Sequence, residues 1–201
     1  RRMDQYQHFQ RQGVWQVLDQ IPAHDTTVGI MGLGVMGVAS ARVLACMNYR
    51  LLGWSRTRKT IPGLQSFVGT EELGQFLAQT RILVILLPLS RDTRKLIDRD
   101  VLRQLPRGAF LINAGRGELV NQPDLIEALD SGQIAGAALD VFDDEPLPSE
   151  HRFWRHPTVA LTPHIASLTN PPTAVEFVAE NIERHRAGHP LRYVVDFERG
   201  Y

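Results

Sequence analysis

Short apolar runs alternate with helical stretches along this chain, and the alternation restricts the fold more than any other feature of the sequence. Six runs are predicted as strands, and one of them, residues 82–87, is apolar throughout, as expected of a strand covered on both faces. Strands that alternate with helices form parallel sheets, so we expect an α/β fold with a doubly wound parallel sheet and flanking helices. The predicted strands are 26–31, 49–54, 82–87, 109–113, 135–139 and 159–162, and the predicted helices are 1–20, 35–47, 70–79, 96–102, 123–131 and 173–187.

The composition excludes several classes of partner. Lys and Arg together number 22, as do Asp and Glu, so no net charge attracts nucleic acid or an anionic membrane. The longest apolar run is far too short to cross a bilayer, and the polar first residues do not resemble a signal peptide. The single cysteine, Cys46, lies in an apolar helical stretch and is expected to be a buried structural thiol. The lone cysteine and the polar first residues lead us to expect a protein of the reducing cytoplasm. No cluster of Cys and His occurs, so no metal site is expected.

A glycine-rich turn directly follows the first predicted strand. Gly32, Gly34 and Gly37 form the pattern G-x-G-x-x-G, which is weak in isolation but here joins a strand to a helix. In that context the first glycine permits the tight turn, the second lets a pyrophosphate approach the backbone, and the third allows the helix to pack on the strand. The amides of Val35 and Met36 then face the phosphates at the positive end of the helix. The alternative is a tight turn without a ligand, and the context favours a Rossmann-type dinucleotide site.

The residues after the second predicted strand indicate which dinucleotide binds. Proteins that bind NAD usually carry Asp or Glu there, which accepts hydrogen bonds from the ribose hydroxyls, and methyltransferases generally carry an acid there as well. This chain carries Ser55, followed by Arg56, Arg58 and Lys59. An acid would repel a 2′-phosphate, whereas a serine and an arginine can bind it. We therefore expect NADP, with NADPH preferred over NADH, bound by Ser55, Arg56 and Arg58; the alternative is a solvated basic loop.

Three polar residues each follow the C-terminal end of an apolar run in the second half of the chain. They are Arg116, Glu145 and His164. The C-terminal ends of parallel strands line one edge of a sheet, and ligands bind at that edge. A cation, a carboxylate and an imidazole placed together there could bind a carbonyl group and deliver a proton to it. Each alone has a simpler interpretation, namely a surface ion pair, a loop start and a local hydrogen bond, so it is their joint occurrence that favours a reaction centre.

Four motifs occur in order along the chain: GLGVMG at 32–37, LINAGRGELV at 111–120, ALDVFDDEPLP at 138–148 and LTPHIA at 161–166. Their order and spacing resemble the D-isomer-specific 2-hydroxyacid dehydrogenase family from about residue 26 to residue 190. Three further segments are similar to the bacterial glyoxylate/hydroxypyruvate reductase branch of that family: WSRTRK at 54–59, PGLQSF at 62–67 and RGY at 199–201.

The resemblance implies a role for each candidate residue. Arg116 would bind the carbonyl oxygen and the carboxylate of a 2-keto acid through its planar fork of donors. His164 would protonate the carbonyl oxygen as hydride arrives, and Glu145 would orient the imidazole and favour its charged form. Asp140 would hold the carboxamide of the nicotinamide. Leu87, Pro88 and Thr93 would line the adenine and ribose side of the cleft, and Ala114 and Gly115 would also contact the cofactor.

The resemblance also implies how the chain is organised. Residues 1–20 would be a linker helix, 21–170 the dinucleotide-binding domain, and 171–201 a C-terminal crossing helix with its tail. The N-terminal substrate domain of the family is absent from these residues. The expected function is the NADP-binding domain of an oxidoreductase that reduces glyoxylate or hydroxypyruvate to the 2-hydroxy acid. The alternative is an inactive or sensory NADP-binding fragment without turnover. The family usually pairs through this domain, so a homodimer is expected.

Overall fold

Seven parallel strands form a single sheet in the computed structural model of the chain, which describes residues 3–196. Every neighbouring pair of strands is parallel. In chain order the strands are β1 (Thr27–Met31), β2 (Arg50–Ser55), β3 (Leu64–Val68), β4 (Ile82–Ile85), β5 (Ala109–Asn113), β6 (Ile134–Leu139) and β7 (Val159–Leu161). The helices are α1 (Met3–Gln12), α2 (Val35–Cys46), α3 (Leu73–Ala78), α4 (Arg99–Gln104), α5 (Gln122–Asp130) and α6 (Pro171–Arg186).

The strand order reverses between β1 and β4. Across the sheet the order is β3-β2-β1-β4-β5-β6-β7, so the chain first winds outward from β1 in one direction and then from β4 in the other. In doubly wound sheets a crevice opens at this switch point, beyond the carboxyl ends of the strands. The expected α/β fold with a Rossmann-type sheet and flanking helices is confirmed.

The core lies on both faces of the sheet. Ile30 and Met31 are consecutive residues of β1 and fully buried, and they belong to two different apolar clusters, because successive side chains of a strand point to opposite faces. The smaller cluster includes Ala41 of α2, and the larger one includes Phe76 of α3. Helices therefore cover both faces. By contrast, α6 contains no buried residue.

One strand, β3, is absent from the sequence prediction. Its sequence, Leu-Gln-Ser-Phe-Val, is short and half polar, and only Phe67 is buried within it. It lies at the edge of the sheet, beside β2. An edge strand needs fewer apolar residues than a central one, because one of its sides has no neighbouring strand, and so the apolar pattern used for the prediction is weak there.

Two other sequence predictions are wrong. The first helix was expected over 1–20, but α1 ends at Gln12, because Gly13 adopts φ 65° and the amide of Val14 closes the helix on the carbonyl of Phe9. Residues 14–22 continue without helix or strand. Cys46 was expected to be buried but is exposed, since α2 packs on the sheet through its opposite side.

No helix in the described part of the chain is both long and apolar enough to span a membrane. Within residues 3–196, no group of His, Cys, Asp and Glu side chains is arranged to hold a metal ion.

Candidate active site

The glycine turn follows β1 at the switch point of the sheet, and its three glycines differ in what surrounds them. Gly32 has φ 103°, and a Cβ there would lie 2.7 Å from the carbonyl oxygen of Leu86. A Cβ on Gly37 would lie 1.9 Å from the carbonyl oxygen of Gly32. A Cβ on Gly34 would meet nothing within 4 Å. The first and third glycines are thus required by the fold, whereas the second leaves a space that a side chain would fill.

The first turn of α2 borders this space. Gly34 is the N-cap residue, no side chain caps the helix, and no acidic residue lies in its first turn. The first amides of a helix have no acceptor within it, and they carry the positive end of the helix dipole. The amides of Val35 and Met36 lie in this turn, where the Val35 side chain is 84% exposed. The arrangement fits the pyrophosphate of a dinucleotide, which needs a close approach to backbone donors.

The loop after β2 holds its predicted residues in different ways. Ser55 is buried, and its hydroxyl donates a 2.8 Å hydrogen bond to the carbonyl of Thr57. Arg56 is exposed. Arg58 donates to the carbonyl of Ser66 at 2.7 Å and forms an ion pair with Glu72 at 2.5 Å. Both terminal nitrogens of Arg58 therefore contact the protein, and its contact with a 2′-phosphate stays a prediction that would require one of these contacts to open.

Glu72, the partner of Arg58, is held in its ionised form by two neighbouring groups. The pKa of Glu72 is lowered, first by the hydrogen bond from the amide of Val68 and then by the Arg58 guanidinium. Glu72 is consequently an ionised partner, and the pair joins the β2–β3 loop to the start of α3.

Arg116 stands in a tight loop after β5, which buried Asn113 shapes. The Asn113 side-chain amide donates to the carbonyl of Arg116 at 2.9 Å and its oxygen accepts from the amide of Gly115 at 3.1 Å. Arg116 itself is exposed, and its guanidinium donates to the Gly115 carbonyl at 2.7 Å. A Cβ on Gly117 would lie 1.9 Å from the carbonyl carbon of Phe142. This close contact brings the Arg116 loop against the chain segment that leads to Glu145.

Glu145 and His164 form a direct pair. The Nδ1 of His164 lies 2.7 Å from Glu145 Oε2, and the other carboxylate oxygen accepts a 2.9 Å hydrogen bond from the amide of Phe142. The His164 side chain is 49% exposed and that of Glu145 is 36% exposed. When Nδ1–H donates to the carboxylate, Nε2 is the ring nitrogen left to exchange a proton with a ligand.

The carboxylate of Glu145 is stabilised in its charged form. Partial burial would raise the pKa of Glu145, but the His164 hydrogen bond, the Phe142 amide and the charges of His164 and Arg116 together outweigh it and hold the pKa below its ordinary value. The charges of Arg116 and His164, which were predicted to lie at the same sheet edge, thus both favour the ionised form of Glu145.

Asp140 is almost fully buried after β6, and its contacts are with its own chain. One carboxylate oxygen accepts from the Thr162 hydroxyl at 2.5 Å and from the amide of Ile165 at 2.9 Å, and the other accepts from the amide of Ala166 at 2.9 Å. Its carbonyl accepts from the amide of His164 at 2.8 Å. Burial would raise the pKa of Asp140, but these hydrogen bonds and the His164 charge prevail and lower it. In the structure Asp140 therefore fixes the turn that carries His164, which has φ 54°.

The remaining cofactor candidates lie in the loops that follow β4 and β5. The hydroxyl of Thr93 donates to the carbonyl of Pro88 at 2.7 Å and accepts from the amide of Ser90 at 2.8 Å, so it closes the loop after β4. A Cβ on Gly115 would lie 3.0 Å from the carbonyl oxygen of Leu87, and Ala114 donates from its amide to the Ile85 carbonyl at 3.3 Å. Leu87, Pro88, Thr93, Ala114 and Gly115 thus belong to the loops that follow β4 and β5.

Sequence reasoning missed two residues that shape the site. Asn113 holds the Arg116 loop, and Thr162 donates to Asp140 beneath the His164 turn. The available signal was a polar residue at the end of an apolar strand, immediately before a turn; Asn113 is buried there, whereas Thr162 is exposed. Such a side chain must find partners, and loop amides and carbonyls are the nearest ones.

The comparisons with known proteins agree with this geometry. The model of the D-isomer-specific 2-hydroxyacid dehydrogenase NAD-binding domain matches residues 1–166. The chain belongs to this family. The glycine turn at Gly34 and the pair of His164 and Glu145 therefore lie within a domain of the dehydrogenase family. The resemblance drawn from the four motifs is confirmed.

The chain is similar to bacterial reductases of the family. It is 46% identical over 201 residues to glyoxylate/hydroxypyruvate reductase A of Salmonella newport, covering 100% of this chain and 64% of that protein. A 2-hydroxyacid dehydrogenase of Xanthobacter autotrophicus, solved with NADPH and MES, superposes with a TM-score of 0.96 at 44% identity, covering 99% of this chain and 82% of that one.

A third relative is the NADPH-dependent glyoxylate/hydroxypyruvate reductase of Sinorhizobium meliloti, solved with NADP and sulfate. Its TM-score is 0.95 at 41% identity, over 99% of this chain and 64% of that chain. The chain therefore spans slightly less than two thirds of the length of the curated relatives that it matches. The RGY segment at 199–201, which contributed to the resemblance, lies outside the described residues.

Proposed function

We propose that the chain is the NADP-binding domain of an oxidoreductase that reduces a small 2-keto acid, glyoxylate or hydroxypyruvate, to the 2-hydroxy acid. The observation that carries the proposal is the 2.7 Å contact between His164 Nδ1 and Glu145 Oε2, at the same edge of the sheet as the glycine turn. A domain that only binds a dinucleotide, as in the sensory alternative, has no use for an oriented imidazole there. The names of the relatives from Salmonella newport and S. meliloti support the substrate class.

Each residue of the site would have a separate role in the reaction. The bound dinucleotide supplies hydride to the carbonyl carbon. Arg116 would hold the carbonyl oxygen and the carboxylate of the keto acid with its fork of donors. The Nε2 of His164 would give its proton to the carbonyl oxygen as hydride reaches the carbonyl carbon, so that the carbonyl group becomes a hydroxyl group. Glu145, ionised beside the ring, orients the imidazole and offsets its positive charge.

Turnover in the presence of NADPH and glyoxylate or hydroxypyruvate tests the proposal, measured as loss of NADPH absorbance in the complete gene product of which these residues are all or part. His164→Ala is expected to abolish turnover while NADPH still binds, because the proton donor is lost and the dinucleotide space is not. His189→Ala, an exposed histidine after α6, is the matched control and should keep wild-type turnover. Tight NADPH binding by the wild type without turnover of either keto acid would sink the reductase proposal and leave the sensory alternative.

The dinucleotide is proposed to be NADP, with NADPH preferred over NADH. Ser55 occupies the end of β2 where an acid would repel a 2′-phosphate, and Arg56 follows it on the surface. The relatives solved with NADPH and NADP support this preference. Among the predicted residues Ser55, Arg56 and Arg58, we propose that Arg56 makes the main contact with the 2′-phosphate and that Arg58 contributes less because of its pair with Glu72.

Arg56→Ala tests the preference. One charge-assisted hydrogen bond contributes about 1.5–3 kcal/mol, so the variant should lose roughly tenfold to a hundredfold in NADPH affinity and little in NADH affinity. Arg58→Ala is the contrasting variant and should change the ratio of the two affinities far less. Equal losses for both cofactors in Arg56→Ala would contradict the assignment.

A homodimer in the cytoplasm is proposed as the working form, paired through the dinucleotide-binding domain. The outer face of α2 supports the pairing. Val35, Ala39, Val43, Cys46 and Met47 recur at helical spacing, all are exposed, and none is polar. A contiguous apolar helix face is typical of an interaction surface. The same face explains why the hydrophobic pattern wrongly predicted a buried Cys46.

The proposed domain limits follow the described elements. Residues 21–170 contain the whole sheet, and 171–201 contain α6. The segment 1–20 would link this domain to a substrate domain, as a short helix followed by an extended stretch rather than as one long helix.

A further inference from the structure

Lys95 lies between β4 and α4 and joins three loops at the carboxyl edge of the sheet. Its ammonium group lies 2.5 Å from Asp143 Oδ2 and donates to the carbonyl of Val120 at 3.1 Å. Asp143 stands two residues before Glu145, and Val120 stands four residues after Arg116. One cation therefore contacts two of the three chain segments that carry candidate catalytic residues.

The backbone around Lys95 is tied to the same region. The amide of Lys95 donates to the Glu118 carbonyl at 2.7 Å, and the amide of Ile97 donates to the Leu119 carbonyl at 3.0 Å. The amide of Asn121 donates back to the Ile97 carbonyl at 2.9 Å. This short ladder fixes the root of the Lys95 side chain against the Arg116 loop. The side chain is then the part that reaches across to the Glu145 loop.

The backbone conformation of Lys95 sets it apart from an ordinary surface lysine. Its φ is 53°, in the left-handed region where glycine is at ease and residues with a Cβ are disfavoured. A lysine at this position therefore has an unfavourable backbone conformation, and its side-chain contacts must offset that cost. Its side chain is only 37% exposed, and that of Asp143 is 31% exposed, so solvent screens the pair incompletely.

We propose that Lys95 is a positioning residue for the proton donor: by binding Asp143 and the Val120 carbonyl, it holds the Glu145 loop against the Arg116 loop and so keeps Glu145 on His164. The inference rests on the proposed reductase function. Lys95 touches neither His164 nor a reacting atom, and it acts through the placement of Glu145. A shift of about 1 Å at a catalytic group is enough to slow a reaction markedly, which makes a tether of this kind effective.

The first test measures the loop itself and needs no turnover. In Lys95→Met, hydrogen exchange of a peptide that covers 142–146 should accelerate about threefold or more, since the contact with Asp143 is lost. Lys95→Gly should act alike, and it removes the side chain without straining a positive φ. Arg99→Met is the matched control, because Arg99 pairs with Asp124 and Glu127 of α5, away from these loops. Unchanged exchange over 142–146 in both Lys95 variants would overturn the proposal.

The second test asks whether Lys95 acts through Glu145. Lys95→Met should lower kcat about fivefold and leave the NADPH dissociation constant within about twofold of the wild type. In a Glu145→Gln background the same substitution should cause no further loss of kcat, whereas an unrelated structural defect would add its own. Lys95→Arg can still pair with Asp143 and should restore most of the rate. Additive losses in the double variant, or a loss confined to NADPH binding, would refute a role through Glu145.

The two tests separate this inference from the function on which it rests. If the wild type binds NADPH but reduces no keto acid, the proposed function fails, and the exchange measurement still decides whether Lys95 holds the Glu145 loop. If the wild type turns over and Lys95→Met matches it in both exchange and kcat, the reductase stands and the role of Lys95 is refuted.

Discussion

At the scale of single residues, Asp140 determines where His164 stands. The resemblance assigned Asp140 to the carboxamide of the nicotinamide, which stays a prediction; in the structure its two oxygens accept from Thr162, Ile165 and Ala166. His164 lies between these three partners in the sequence, and its φ of 54° is disfavoured for a residue with a Cβ. The carboxylate thus stabilises a turn that would relax without it.

Asp140→Asn is expected to destabilise the protein by about 1–3 kcal/mol at neutral pH, because one acceptor oxygen becomes an NH₂ group that faces a backbone donor. The folded pKa of Asp140 is lowered from an ordinary value of 3.8, so its contribution is present above pH 3.8 and is lost as pH falls through the lower folded pKa. Urea unfolding from neutral pH downward should show the wild type losing its advantage over Asp140→Asn below pH 3.8.

The control for this series is Asp92→Asn, which changes an exposed acid in the loop after β4 and should alter stability by less than about 0.5 kcal/mol. A stability gap between the wild type and Asp140→Asn that stayed constant with pH would show that the carboxylate charge is not what the turn requires.

The placement of single residues was predictable where it depends on the sheet and not where it depends on loops. Arg116, Glu145 and His164 could be placed together because all three follow parallel strands, whose carboxyl ends share one edge. The pair between Arg58 and Glu72 could not, since it depends on how the chain returns through β3. The same holds for Lys95 and Asp143, which are far apart in sequence and meet only through two folded loops.

At the scale of elements, the glycines of the βα turn at the start of α2 are expected to differ, Gly37 being important for stability and Gly34 for NADPH binding. Gly34→Ala should cost less than about 1 kcal/mol of stability, because its φ of −78° suits alanine and its Cβ meets no protein atom. The same variant should weaken NADPH binding about tenfold or more, since the methyl group enters the space of the pyrophosphate. Fluorescence titration with NADPH and thermal unfolding measure the two effects.

The matched variant is Gly37→Ala, whose Cβ would lie 1.9 Å from the Gly32 carbonyl oxygen and force the backbone apart. It should destabilise the fold by about 1–3 kcal/mol. If Gly34→Ala bound NADPH as tightly as the wild type, the pyrophosphate would not lie at this turn.

Elements with a strong apolar signal were predicted and those with a weak one were not. Central strands such as β4 have apolar side chains on both faces, buried on one face and partly buried on the other, so their sequences are continuous apolar runs. The edge strand β3 mixes polar and apolar residues and gave no such signal. The first helix was predicted too long because apolar residues continue after Gln12, although Gly13 already turns the chain away.

At the scale of the whole molecule, the apolar outer face of α2 is where the proposed dimer would form. Val43 lies near the middle of that face and is 64% exposed. Val43→Asp should convert a dimer into a monomer, because a buried unpaired carboxylate opposes association, and light scattering reports the mass directly. The fold of the monomer should be unaffected, since the Val43 side chain faces solvent.

The control is Val178→Asp, an equally simple change at a valine of α6 that is 58% exposed. It should leave the dimer intact. If instead Val178→Asp dissociated the protein and Val43→Asp did not, the interface would lie on α6. A monomeric wild type would contradict the dimer proposal itself.

The overall topology was the most predictable property of the molecule, since alternation of strands and helices leaves few arrangements open. Burial of individual helix positions was less predictable. Cys46 of α2 was expected to be buried, but a helix that packs on a sheet through Gly37 and Ala41 leaves its opposite face exposed. Hydrophobicity indicates that a surface becomes covered, and it does not distinguish the core from a second molecule.

The three glycines of the turn are also expected to be conserved for different reasons during evolution. Gly32 and Gly37 are held by the protein's own backbone, so they would persist in a lineage that had stopped using a nucleotide. Gly34 faces open space, so at the proposed site the dinucleotide would be the main obstacle to its replacement. In a set of diverging sequences, drift at the middle position alone would therefore mark the branches in which the dinucleotide had been abandoned.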